Sequence, residues 1–201
     1  MSLIPVNLVY EDQISEFVMT KLIESAGKYR IGNTYSEGGF GYIKKNLSGF
    51  NSASKGCTFF VLTDLDTVDC APSLIKSWLK VPVQPNLIFR VAVREIESWL
   101  LADIEGFSAY TGISIANFPK NPEELIDPKL ELLNLIRKCR KRDIREDILP
   151  RDEFAAIGPN YNGRLAEYVC SFWNIERASK RSRSLLKAIQ HLNRFHFAQN
   201  A

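Results

Sequence analysis

Residues 57–70 read Cys57-Thr-Phe-Phe-Val-Leu-Thr-Asp-Leu-Asp-Thr-Val-Asp-Cys70. Phe59, Phe60, Val61 and Leu62 form an apolar run of aromatic, β-branched and aliphatic residues. Such a run predicts a strand buried on both faces, and so the centre of a parallel sheet. It ends in Asp64-Leu65-Asp66. Side chains two apart on a strand point the same way, so both carboxylates emerge together. They do so at the carboxyl end of the strand, where open α/β sheets bind ligands. Two like charges held close repel, and a divalent cation with oxygen ligands, Mg²⁺ or Mn²⁺, lets both stay ionised. The competing account is a solvated turn in which Asp bonds to nearby backbone.

Working outward, residues 6–10 predict a first strand with Glu11 and Asp12 at its carboxyl end. Ile14, Phe17, Val18, Leu22 and Ile23 then recur at helical spacing, up to Gly27. A second strand is expected over Tyr29–Tyr35 and a helix over 42–55. Pro72 opens a helix through Trp78, because proline is tolerated in the first turn. Residues 87–93 form the fourth strand, and one helix is expected from Arg94 to about residue 110. Strands alternating with helices predict an α/β fold, a Rossmann-like parallel sheet of about four strands in the order 2-1-3-4. Beyond Pro119 the pattern is helical only, with segments near 128–142, 162–174 and 178–195. Residues 1–118 are therefore expected to form the sheet domain, and 119–201 a helical extension.

Composition is that of a globular protein, with 45% hydrophobic and 24% charged residues. Residues 1–119 carry net charge −2 and residues 120–201 net +5. An acidic half beside a basic half suits a metal site next to a polyanion surface. The four cysteines have no zinc spacing and predict reduced, mostly buried thiols. The N-terminal residues lack a basic stretch followed by a long apolar one, and no run reaches the roughly 18 apolar residues of a membrane span. A cytoplasmic protein without a membrane partner is the expectation.

In the order 2-1-3-4 the first and third strands are neighbours. Glu11, Asp64 and Asp66 would then share one crevice at a topological switch point. Three convergent acids do not readily stay ionised without a cation, and a Mg²⁺ ion there could activate water for phosphodiester chemistry. Alternatively, Glu11 caps the helix that follows it.

A strand ending in Glu11 and a strand ending in Asp64-Leu-Asp66 on an α/β sheet resemble the Toprim domain of topoisomerases, primases and OLD-type nucleases. The resemblance implies that Glu11, Asp64 and Asp66 bind Mg²⁺ for nucleotidyl transfer or phosphodiester cleavage. Toprim domains usually place Gly after the Glu, and here Asp12 stands there. Further stretches resemble bacterial Toprim-like proteins encoded near restriction and phage-defence loci. These are Cys70-Ala-Pro72, Arg90-Val-Ala-Val-Arg-Glu-Ile-Glu-Ser-Trp-Leu-Leu-Ala-Asp103, Asp127-Pro-Lys129 and Gly158-Pro-Asn-Tyr-Asn162. The expected function is that of a Mg²⁺-dependent nuclease or phosphotransferase acting on DNA or RNA. The alternative is a non-catalytic module that binds nucleotide or nucleic acid, or docks a protein partner of a defence locus.

Glu97 or Glu95 is expected to border the metal site, with Glu97 as a catalytic candidate, and Arg94 to contact phosphate. Basic residues fall in two groups, 137–145 and 177–187; Arg177, Lys180 and Arg181, or Arg183 and Lys187, would share a helix face. Lys180, Arg181 and Arg183 are the candidates for holding a nucleic-acid backbone, and a solvated surface is the competing reading. Two other likenesses are set aside. Residues 64–68 also fit a phosphatase opening motif, but at the third strand rather than the first. Residues 37–41 resemble a kinase glycine loop without the kinase motifs that should follow.

Overall fold

The structure is a computed structural model, and it describes residues 2–152 and 154–198. The chain divides into two compact units, residues 1–93 with 186–201, and residues 94–185. Residue 118, the expected boundary, falls inside the second unit, and the end of the last helix belongs to the first.

The first unit contains β1 (Ile4–Val9), α1 (Gln13–Ala26), β2 (Tyr29–Tyr35), α2 (Phe40–Ala53), β3 (Thr58–Asp64), α3 (Ala71–Trp78) and β4 (Leu87–Ala92). Among the described residues these strands form one sheet in the order β2-β1-β3-β4. Every neighbouring pair is parallel. The fold is therefore the expected α/β architecture with a Rossmann-like strand order. Strand β3 is central, and its residues from Thr58 to Thr63 are all buried, as the apolar run required. On one face Val9, Phe59, Val61, Phe89 and Val91 pack with Ile43, Leu47, Phe50 and Leu74 of the helices. This core is rich in rings: Phe50 lies 5.4 Å from both Tyr35 and Phe59. Such contacts add to the area term that dominates folding.

The second unit holds α4 (Ile96–Leu101), α5 (Ile104–Thr111), α6 (Pro128–Ile136), α7 (Arg142–Ile148), α8 (Tyr161–Ser171) and α9 (Ile175–Ser179). The last helix, α10 (Arg183–Arg194), runs from this unit into the first. Tyr29 Oη donates to Leu192 O at 2.6 Å, and Lys28 Nζ donates to the carbonyls of Asn193 and Phe195. These bonds satisfy carbonyls that the end of α10 leaves open. Among the described residues, no helix is long and apolar enough to cross a membrane.

Several sequence expectations need correction. The helix expected over 94–110 is two helices, because Asp103 caps α5 by accepting from Gly106 N at 3.1 Å. The helix expected over 128–142 ends at Ile136, and α7 begins at Arg142. The basic group 137–145 is therefore divided between a connector and a new helix. Arg177 lies on α9, while Lys180 and Arg181 follow it, so the three do not share one helix face. All four cysteines are free, but only Cys139 is buried; Cys70 and Cys170 are exposed.

Candidate functional site at the carboxyl edge of the sheet

Parallel strands β1 and β3 end side by side, with Val9 opposite Val61. The chain leaves β1 through Tyr10 and Glu11, and β3 ends at Asp64. Glu11 does not turn to the helix that follows it. Its Oε1 accepts from the backbone N–H of Asp64 at 2.9 Å and from the hydroxyl of Thr63. Oε2 takes part in neither bond. Burial raises the pKa of Glu11 most, against the pull of these two hydrogen bonds; the charges of Asp66 and Asp12 raise it further. Among the described residues, no positive charge stands among the main influences on its ionised form.

The capping role belongs to Asp12, which accepts from Ser15 N at 2.8 Å at the start of α1. This accounts for the carboxylate at position 12: it satisfies one open helix N–H and complements the positive end of the helix. Asp12→Ala is expected to cost about 1 kcal/mol of stability. It should also let the pKa of Glu11 fall, since one repelling charge is gone. A denaturation midpoint unchanged by the substitution would refute the capping role.

Asp64 is half-buried and Asp66 exposed, on either side of buried Leu65. Asp66 has φ +49, a left-handed conformation that Asp tolerates better than most residues. Leu65 N donates to Ala92 O at 2.9 Å, so the turn is held to the end of β4. Sequence reasoning expected the three acids in one crevice. The direct link from Glu11 to the Asp64 backbone and the charge of Asp66 acting on Glu11 bring them to one edge. Among the described residues, however, no three His, Cys, Asp or Glu side chains converge closely enough to hold a metal ion. The donor set is carboxylate oxygen, which suits Mg²⁺ or Mn²⁺, and the charge on Glu11 suits any cation.

Comparison with protein-family models, with curated proteins and with solved structures returns no match.

Glu97 lies in the second unit, where a distinct cluster surrounds it. Its side chain is fully buried on α4. Tyr161 Oη donates to Oε1 at 2.8 Å, and Lys129 Nζ stands 3.5 Å from the same oxygen. Oε2 is buried with no hydrogen-bond partner among the described residues. Burial is the largest influence and lifts the Glu97 pKa to about 6; Lys129 and Tyr161 pull it down, and Glu95 pushes it up. Glu95 Oε2 in turn accepts from Lys129 N at 2.9 Å. The stretches 94–103, 127–129 and 158–162 thus meet at one carboxylate. Gly158, ahead of α8, packs against the backbone at the end of α7, where a Cβ would lie 2.3 Å from Asp147 O.

Arg94 precedes α4 and has φ +64, an uncommon conformation for a non-glycine residue. Lys180, Arg181 and Arg183 are all exposed. Arg181 Nη1 pairs with Glu105 at 3.1 Å, so part of its charge is already balanced. Arg177 is occupied by Asp103 at 2.6 Å. Sequence reasoning missed Thr63, Lys129 and Tyr161 as partners of acidic residues. Thr63 had a signal, a hydroxyl at the end of an apolar strand next to the Asp-x-Asp. Lys129 and Tyr161 sat in stretches already singled out, but nothing local tied them to Glu97.

Proposed function

We propose that the protein is a Mg²⁺-dependent, Toprim-like phosphodiesterase acting on nucleic acid, with Glu11, Asp64 and Asp66 as the metal-holding acids. The observation that carries this reading is the Glu11 carboxylate. It crosses from the end of β1 to the backbone of Asp64, at the point where the chain order of a parallel sheet reverses. A bound Mg²⁺ ion would polarise a phosphoryl oxygen and activate water. The protein's own part is positional. Thr63 and the Asp64 N–H hold one oxygen of Glu11. Burial around Glu11 makes a cation the favoured means of keeping it ionised. Lys180, Arg181, Arg183 and Arg94 supply candidate contacts to phosphates, which position a polyanion without reading its sequence.

The test combines Mg²⁺ titration with cleavage of labelled DNA and RNA. Wild-type protein is expected to melt higher with Mg²⁺, by up to about 2.7 kcal/mol of stability at a hundred times the dissociation constant. Asp64→Asn should remove that gain. It should also reduce cleavage by more than the roughly 10–100-fold that loss of a partner of a metal ligand costs. Cleavage that persists without Mg²⁺, or that survives Asp64→Asn, would sink the proposal. Metal-dependent nucleic-acid binding without cleavage would assign the protein to the non-catalytic alternative.

A further inference from the structure

A charge inside a folded protein needs a counter-charge or a full set of hydrogen bonds, and a guanidinium cannot escape by losing its proton. Among the described residues Arg90 has no ion-pair partner, and its guanidinium is only partly buried. Its Nε is buried without a hydrogen-bond partner. No carboxylate offsets the burial, which alone draws its pKa down. Arg90 is the one partly exposed position in a strand whose other residues are all buried. Leu87, Phe89 and Val91 of β4 face the ring-rich core, so alternation puts Arg90 on the opposite face. Its register partner there is Leu62; Asp64, the partner of Ala92, lies two residues nearer the carboxyl edge.

A second group lies within range of its charge. His191, on α10, has its pKa lowered first by its own burial and then by the Arg90 charge. Its imidazole is therefore neutral at neutral pH and can donate one N–H without adding a second positive charge. A fixed cation and a neutral donor make a pair that an anion would complete. The planar fork of a guanidinium matches the oxygens of a phosphate.

We propose that Arg90, together with His191, is an anion-binding site that takes a phosphate group of the substrate. The choice of phosphate rests on the nuclease reading above; the need for an acceptor rests on the buried Nε that has none among the described residues. The phosphate could be free or the terminal phosphate of a nucleic acid.

The test titrates inorganic phosphate into the full chain in EDTA, at ionic strength held constant with chloride. Wild-type protein is expected to bind phosphate and to melt higher with it. Arg90→Met should weaken phosphate binding roughly 10- to 100-fold, the scale of a charged hydrogen bond. Its melting temperature without phosphate should stay unchanged or rise, because a buried N–H without an acceptor is gone. Should Arg90→Met fail to fold, Arg90→Lys keeps the charge and stem but loses the fork, and an intermediate weakening is expected. No phosphate response in the wild type, or an equal response in the variants, overturns the proposal. Oligonucleotides of one sequence with 5′-phosphate or 5′-hydroxyl ends then separate the sources. A preference for the 5′-phosphate that Arg90→Lys removes assigns a nucleic-acid end, and equal binding of both assigns free phosphate. Because EDTA removes divalent ions, this site stands or falls independently of Mg²⁺ at Glu11, Asp64 and Asp66.

Discussion

Asp103→Ala is expected to cost about 3–5 kcal/mol, the largest stability loss of any substitution considered, and comparable to the whole stability of a marginal domain. The carboxylate is fully buried. It accepts from Gly106 N at 3.1 Å, Asn174 N at 2.7 Å, and Arg177 Nε and Nη2 at 2.6 and 2.8 Å. Alanine would leave two backbone N–H groups and a guanidinium without their acceptor, and each buried orphan costs about 1–3 kcal/mol. The half-exposed Arg177 recovers part of its share from water. Gly106 completes the arrangement, since a Cβ there would lie 2.2 Å from Asp103 Oδ2. Asp103→Asn keeps an acceptor and should cost less. The measurement is the denaturant midpoint at constant slope. A loss below about 1 kcal/mol would mean that the second unit does not depend on this carboxylate.

The second large effect is a pH dependence at Glu97. Its folded pKa is raised to about 6 from an ordinary 4.5, because burial penalises the charged form more than Lys129 and Tyr161 favour it. A raised carboxyl pKa contributes stability below the unfolded value and loses it as pH climbs through the folded value. Wild-type protein should therefore lose about 2 kcal/mol between roughly pH 4.5 and 6 through this group, at about 1.4 kcal/mol per pKa unit. Glu97→Gln keeps an oxygen for Tyr161 and cannot ionise, so its stability curve should lack that fall. Lys129→Met removes the neighbouring cation and should move the transition above pH 6. Parallel pH profiles for wild type and Glu97→Gln would show that the carboxylate is compensated in some other way. Such a group, neutral in acid and charged at neutral pH, has the property a proton-transfer residue needs.

The sheet could be read from the chain because its signals are local. Phe59–Leu62 is apolar at every position and rich in aromatic and β-branched residues, the pattern of a strand covered on both faces. Tyr29–Tyr35 and Ala71–Trp78 were bounded by their own residues, the latter by a proline at its start. Alternating strands and helices, with right-handed crossovers, left few strand orders, and 2-1-3-4 is among them. Asp64 does end β3, but Asp66 lies beyond the strand at φ +49, so the period of two along a strand does not extend to the acid pair.

What the chain could not reveal depends on partners far along the sequence. The local sequence left a cap on α1 open to Glu11, and the choice was made by Thr63 and Asp64, 52 and 53 residues away. The break at Asp103 is invisible in a stretch with helical periodicity. It exists because Asn174 and Arg177, more than 70 residues on, supply donors that reward a turn there. Glu97 looked like a helix-opening acid at home near a positive dipole end. Burial against Lys129 and Tyr161 made it a carboxyl with a shifted pKa. Arg90 reads as an ordinary polar residue in a strand, and only packing shows that its buried Nε has no partner among the described residues. Periodicity reports which face a side chain occupies; whether a charge on that face is compensated is decided by what the rest of the chain brings to it.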